Sequence, residues 1–293
     1  MSWVSSPHSG NLHYLKKNID VRLNPRLEGI LKDSQAVVSI AFPYGKPMAL
    51  PPIWNYVATH ARGRDYHNTL RNKLTRIATQ IASVYPGLKW RVFVDSGPVM
   101  ERTWAVLSEL GVIGRNGMII VPGYGVKVLL GEIFISNAPL DRVAFSTIPR
   151  EPFSLCDASC RRCQRACPTG ALSEDGLVDA GKCLSCLTVE RRTYTIPENI
   201  RLHLDKFFGC DRCIDACPHN RAQFSILEPP AIANIANSLE EFVYAPAESL
   251  QQLLAGTCLY RTGAVQLQQQ AQFLLDNSSY RCLGYNSDGK EVK

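Results

Sequence analysis

Cys156-Asp-Ala-Ser-Cys160-Arg-Arg-Cys163-Gln-Arg-Ala-Cys167-Pro168 decides how this chain of 293 residues is read. A second run, Cys210-Asp-Arg-Cys213-Ile-Asp-Ala-Cys217-Pro218, repeats its C-x2-C-x3-C-P ending, and Cys183 and Cys186 lie between the two. Nine of the eleven cysteines thus fall between Cys156 and Cys217. In bacterial-type ferredoxins this spacing holds cubane iron–sulfur clusters, and the last cysteine of each run reaches across to the other cluster. Cys156, Cys160 and Cys163, with the crossing Cys217, are therefore expected to ligate a first [4Fe–4S] cluster. Cys210, Cys213 and the crossing Cys167 leave a second cluster one ligand short. Phe207 stands at the usual place of that ligand, so Cys183 or Cys186 must supply the thiolate. Paired C-x2-C spacings also bind zinc. Both Cys-Pro endings, and eight thiolates for two sites, favour iron and sulfur.

The rest of the composition bounds the setting. With 45% apolar and 20% charged residues the chain reads as an ordinary globular protein. It has no apolar run of about 18 residues that could span a membrane, and its N-terminus lacks a secretory pattern. Clustered thiols without such a signal point to a reducing compartment, so a cytoplasmic monomer with no membrane partner is expected. The net charge of +6 is compatible with a polyanionic partner such as RNA.

Ahead of the cysteines the pattern alternates. Ala36–Phe42 reads as a buried strand closed by Pro43. Asp65 reads as the N-cap of a helix with Leu70, Leu74, Ile77 and Ile81 on one face. Strands are expected at Arg91–Val94, Met118–Val121 and Val126–Ser136, and a helix over Val99–Leu110 with Gly111 as its stop. Residues 137–155 read as a linker. The fold class is α+β: a mixed α/β domain over 1–150, a ferredoxin-like double-cubane domain over 151–225, and a helical C-terminal segment over 226–293 with a loose tail. Two cubanes need only about 60 residues, so the α/β domain is expected to hold what the electrons reach.

Three places in that domain carry candidate chemistry. Asp95 ends a strand in the turn Asp95-Ser96-Gly97-Pro98, either as an ordinary N-cap or as a partly desolvated proton donor. Arg64-Asp65-Tyr66-His67 gathers three ionisable types and a phenol. Gly131-Glu132 inside a strand signals a bulge or a close approach to a flat ligand.

Taken together these residues resemble the epoxyqueuosine reductase family, cobalamin- and iron–sulfur-dependent enzymes that complete queuosine in tRNA. The resemblance is carried by Ala61–His67, by Phe93–Arg102, by Leu110–Asn116, by Leu130–Ile133, by both cysteine runs and by Cys183–Glu190 between them. It implies that the N-terminal domain holds cobalamin against the cluster domain, and that an external low-potential donor feeds the clusters. It further implies that Asp95 supplies a proton, that Cys183 is the missing ligand, and that the substrate is tRNA bearing epoxyqueuosine. Arg64, Tyr66, His67, Arg115, Asn116, Gly131, Glu132 and Ser185 are the implied cobalamin contacts. The chain departs from the family pattern in having Arg115 where Lys is usual, Cys186 where Tyr is common, and one extra residue between Cys156 and Cys160. A corrinoid reductase of another substrate, such as an organohalide, and a plain electron carrier are the competing readings.

Overall fold

Period-two alternation in the first half of the chain builds a sheet, and helices with one apolar face close over it. The computed structural model describes residues 6–10, 12–24, 26, 29–46, 48–138, 155–190, 196–221, 225–230 and 235–282. In chain order the first elements are α1 (Ile19–Leu23), β1 (Ser34–Pro43), α2 (Tyr66–Val84), β2 (Lys89–Phe93), α3 (Glu101–Leu107), β3 (Val112–Ile113), β4 (Ile119–Ile120) and β5 (Val128–Ser136). There follow α4 (Arg162–Ala166), α5 (Leu184–Val189), α6 (Glu198–Arg201), α7 (Arg212–Asp215), α8 (Leu239–Tyr244), α9 (Ala247–Leu253) and α10 (Ala264–Cys282). The expected linker falls almost wholly at residues 139–154, and the expected loose tail at 283–293; both lie outside the described residues.

The main sheet has three strands in the order β1-β5-β2, antiparallel throughout. β5 is the central strand because its residues from Leu130 to Ser136 are buried on both faces. The expected strand at Met118–Val121 shrinks to Ile119–Ile120, which pairs with Val112–Ile113 as a separate small hairpin. The helix expected to stop at Gly111 ends earlier. Glu109 adopts the left-handed conformation at φ 56°, and Leu110 N–H donates to the Ala105 carbonyl to close the last turn. Gly111 serves packing instead, since a Cβ there would lie 2.3 Å from the Ile120 carbonyl oxygen.

Helix α2 forms as its pattern dictates. Asp65 caps it by accepting the His67 N–H, and Leu70, Leu74 and Ala78 are buried against the sheet. Gly131 explains how close this approach is. Ile40 and Gly131 pair in regular register, so there is no bulge, and the irregularity lies at Ser34/Ala36 instead. A Cβ on Gly131 would come within 2.6 Å of Leu74 Cδ1. The close approach is made by a helix of the chain itself.

The three segments share one core. Trp54, Leu70 and Ile133 from the first, Leu184, Ile200 and Phe207 from the second, and Phe242, Leu250 and Leu267 from the third belong to a single buried cluster. Polar links cross the same seams: Thr59 N–H and Oγ1 donate to buried Asp211, and Asp65 N–H donates to the Gly256 carbonyl at 2.7 Å. The Gln-rich stretch from Leu250 to Asn277, helical by its pattern, is interrupted at residues 254–263 between α9 and α10. One of its glutamines, Gln268, donates to the Phe242, Val243 and Ala245 carbonyls, which satisfies the end of α8.

Gly131→Ala is expected to destabilise the protein by about 1–3 kcal/mol through overpacking. Adding Leu74→Val should recover part of the loss, and urea unfolding of the single and double variants measures both.

Candidate functional site

The chain leaves β2 through buried Val94 and turns sharply at Asp95, whose φ of 46° is a left-handed conformation that Asp tolerates better than most residues. Its N–H donates to Glu101 Oε1 at 2.5 Å, so the first turn of α3 pins the backbone. The Asp95 side chain does not cap α3. Its Oδ2 accepts from Tyr66 Oη at 2.6 Å and lies 3.3 Å from His67 Nε2. The side chain is still 59% exposed, so the carboxylate is held from behind and open in front.

Behind it runs a buried chain of charge. His67 Nδ1 meets Asp65 Oδ1 at 2.6 Å, and Arg261 from the C-terminal segment donates to Asp65 Oδ2 at 3.1 Å. The Tyr66 and His67 rings stack at 4.1 Å, which holds both side chains in place. Burial alone would push His67 down, but its hydrogen bonds to Asp65 and Asp95 prevail and raise it to about 11. Burial would push Asp65 up, yet the hydrogen bond from His67 and the Arg261 charge bring it to about 2. Asp95 follows the same balance, burial opposing the bonds from His67 and Tyr66, and ends below its ordinary value. Asp65 and His67 therefore form a salt bridge whose imidazolium also faces Asp95. Cys258, which lies far from both cysteine runs, is buried with its Sγ 3.6 Å from Asp65 Oδ1. Asp65, His67 and Cys258 have ligand atoms mutually close enough for a metal ion, but Arg261 already neutralises the carboxylate.

The cysteines separate into two sets. Cys163 and Cys217 each lie within electrostatic reach of Cys156 and Cys160. Cys213 lies beside Cys183, Cys210 and Cys167 and, more weakly, Cys163, so the sets are neighbours. Helices α4 and α7 each carry the middle cysteine of a run, and the chain turns after Cys167 and Cys217 carry the last across. Burial pushes up the thiols of Cys163, Cys183, Cys213 and Cys217, and that of Cys210 to about 11. Backbone N–H groups oppose this: those of Ser185 and Cys186 favour a Cys183 thiolate, and Ala171 N–H donates to Cys167 Sγ at 3.3 Å. Free thiols gathered in fours, with amide donors aimed at the sulfurs, suit iron–sulfur ligation. A cavity of about 210 Å³ lies against Cys156, Cys160, Cys163 and Cys217, with Arg115 and Asn116 in its wall.

The expected ligand contacts divide by burial. Arg64, Arg115 and Ser185 keep accessible surface. Tyr66, His67, Asn116 and Glu132 are buried, and Gly131 lies beneath Leu74. Of the eight expected contacts these five are largely enclosed by protein, and Asn116 also borders the cavity beside Cys156. Asn116, for instance, accepts from Met118 N–H and donates to the Cys213 carbonyl, tying the α/β domain to the second cysteine run. Sequence reasoning missed Glu101, Cys258 and Arg261 as parts of the site. Glu101 lies inside the Asp95 motif and was there to be found; Cys258 and Arg261 carry no local signal.

Tyr14 closes the outline. Its Oη donates to Glu190 Oε2 at 3.3 Å, and burial together with the Glu190 and Asp95 charges raises it to about 12. The phenol is thus tied to the residue that ends α5, and it feels the Asp95 charge. Among the described residues no helix is long and apolar enough to cross a membrane.

The chain is similar to known proteins in sequence and fold. Residues 22–96 match the family model described as epoxyqueuosine reductase QueG, DUF1730, and residues 156–220 match the 4Fe-4S double cluster binding domain. The epoxyqueuosine reductase of Cyclobacterium marinum is 34% identical over 228 residues, which cover 75% of this chain and 69% of that one. That of Synechocystis sp. is 30% identical over 286 residues. A crystal structure of epoxyqueuosine reductase with a tRNA-Tyr epoxyqueuosine-modified tRNA stem loop superposes with a TM-score of 0.74 at 27% identity, covering 88% of this chain and 68% of that chain. With a relative matched over 92% of both chains and a double [4Fe–4S] domain in place, the chain belongs to the epoxyqueuosine reductase family and is an oxidoreductase.

Proposed function

We propose that this protein reduces epoxyqueuosine to queuosine in tRNA, with two [4Fe–4S] clusters as its electron supply, cobalamin as the group that meets the substrate, and Asp95 as the acid. One observation carries the reading: one chain presents an open carboxylate, backed by a buried imidazolium, and two sets of four thiols, of which Cys210 packs against the core that also takes Tyr66 and Val94. A plain electron carrier has no use for the first of these. Cys156, Cys160, Cys163 and Cys217 hold one cluster in this reading, and Cys183, Cys210, Cys213 and Cys167 hold the other. An external low-potential donor loads them.

The side chains that keep accessible surface are of types that suit cobalamin. Ser185 follows Cys183 on α5, Tyr14 feels the Asp95 charge, and Arg64 and Arg115 keep exposed surface. Hydroxyl, phenol, guanidinium and carboxylate are partners that the amide side chains of a corrin accept. When bound, cobalamin supplies a strongly reducing cobalt centre that takes electrons singly.

The residues of the chain manage the proton. At neutral pH the low-lying Asp95 carboxyl is ionised and the proton rests on His67. Asp65 stabilises that imidazolium and fixes its orientation, as the buried aspartate does in a serine-protease triad. Charge building on a departing oxygen draws the proton across the 3.3 Å contact from His67 Nε2 to Asp95 and on to the leaving group. Tyr66 keeps the carboxylate aligned while this happens.

Asp95→Asn keeps a side chain suited to the left-handed turn. Turnover of epoxyqueuosine tRNA should fall about 10²–10⁴-fold while the cluster absorbance and the bound corrin spectrum stay intact. Wild-type turnover in that variant would remove Asp95 from its role. Cys183→Ser should leave protein with one cluster, whereas Cys186→Ser should keep both; iron content and electron paramagnetic resonance distinguish them. The salt bridge also sets a pH window. His67 is raised from 6.5 to about 11, so its contribution to stability is whole below 6.5 and is lost as pH climbs toward 11. Asp65 is lowered from 3.8 to about 2, so its contribution is whole above 3.8 and is lost as pH falls toward 2. The stability gap between wild type and Asp65→Asn, measured by urea unfolding, should therefore be widest between about pH 4 and 6.5.

A further inference from the structure

Glu132 is the most enclosed carboxyl among the described residues, at 0% exposure in the middle of the central strand β5. Its Oε1 accepts from Ser39 Oγ at 3.4 Å, and its Oε2 has no hydrogen-bond partner among the described residues. The neighbour within reach is the Glu101 carboxyl, itself an acceptor. Two carboxylates cannot satisfy each other, but a carboxylic acid and a carboxylate can, so one proton shared between them removes the orphaned atom. Glu101 in turn accepts the Asp95 N–H. The line Glu132, Glu101 thus runs from the sealed sheet to the backbone of the turn that presents the open carboxylate.

We propose that Glu132 and Glu101 form a buried proton reservoir behind Asp95 that supplies the second proton of the reduction. The inference rests on the function proposed above. Converting an epoxide to an alkene breaks both C–O bonds, forms a C=C bond and releases the oxygen as water. It consumes two electrons, which come from the external low-potential donor through the clusters, and two protons. His67 and Asp95 hold only one of these. The reservoir supplies the other from behind the Asp95 turn, and the pair is reloaded from solvent between turnovers.

The charges around the pair suit this task. Burial, and then the neighbouring Glu101 charge, raise Glu132 to about 9; burial, and then the Asp95 charge, raise Glu101 to about 7. Arg102 on α3 and His67 on α2 pull Glu101 the other way. Tyr66 on α2 is pushed well above its ordinary value by burial and by Asp95, so it stays neutral, and burial also lowers His60. The pair therefore retains one proton at neutral pH, with the Arg102 and His67 charges acting on its Glu101 end.

Glu132→Gln tests the reservoir, because the amide keeps the shape and a donor toward Glu101 but carries no labile acid proton. Infrared difference spectra of the holoenzyme at pH 7.5 should show a protonated-carboxyl band in wild type and in Asp95→Asn that is missing in Glu132→Gln. With epoxyqueuosine-modified tRNA, Glu132→Gln should lose at least about tenfold in kcat at pH 8, with KM unchanged and the deficit closing below pH 6. Glu101→Gln should show the same pH-dependent loss. Absence of the band in wild type, or a wild-type pH profile in Glu132→Gln, overturns the reservoir whatever the substrate is. Wild-type protein that keeps the band but fails to reduce epoxyqueuosine tRNA overturns the proposed function, and proton delivery with it.

Discussion

The hydrogen-bonded salt bridge between Asp65 and His67 is the contact on which the rest of the molecule turns. Asp65 starts helix α2, and α2 is the helix that covers the sheet; the same carboxylate takes Arg261 from the far end of the chain. A buried carboxylate without partners would cost several kcal/mol in a protein interior. Here it has His67 as well as Arg261, and the Asp65 N–H is used by Gly256. Every partner of Asp65 outside α2 comes from the C-terminal segment. Packing that segment and forming the site are for this reason a single event.

The same economy links the redox half to the acid half. Asn116, Asp211 and Asn220 each tie a loop of the α/β domain to the second cysteine run, and all three use backbone groups that would otherwise be buried unsatisfied. Cys183 rides on a helix whose Leu184 and Leu187 enter the common core. The same core takes Val94, the neighbour of Asp95, so that helix and the Asp95 turn are anchored to one set of side chains. In the proposed function electron delivery gains from that rigidity, and so would proton donation by Asp95, whose alignment depends on hydrogen bonds of 2.6 and 3.3 Å.

Much of this was legible in the residues. The Cys-Pro runs carry their spacing in adjacent positions, and ligand counting alone required a thiolate from Cys183 or Cys186. The α2 cap and its apolar face are local as well, and they appear as expected. Asp95 was legible as a candidate but not as a conformation, because its competing use as an N-cap looks the same in sequence. The left-handed φ and the bonds from Tyr66 and His67 exist only after α2 has packed beside β2. Gly131 was read as a bulge or a ligand contact, when the approaching object is Leu74, over 50 positions earlier in the chain.

By itself the amino-acid sequence determined the chemistry supplied: thiols for two clusters, a turn that presents a carboxylate, and helices and strands of recognisable period. These follow from short-range rules, where spacing sets which side chains share a face or a metal. The tertiary structure alone decided which groups are charged and which are reachable. Glu132 becomes an enclosed acid, His67 a cation and Asn116 a strut because burial and partners brought from distant segments set protonation and access. No local pattern encodes either one.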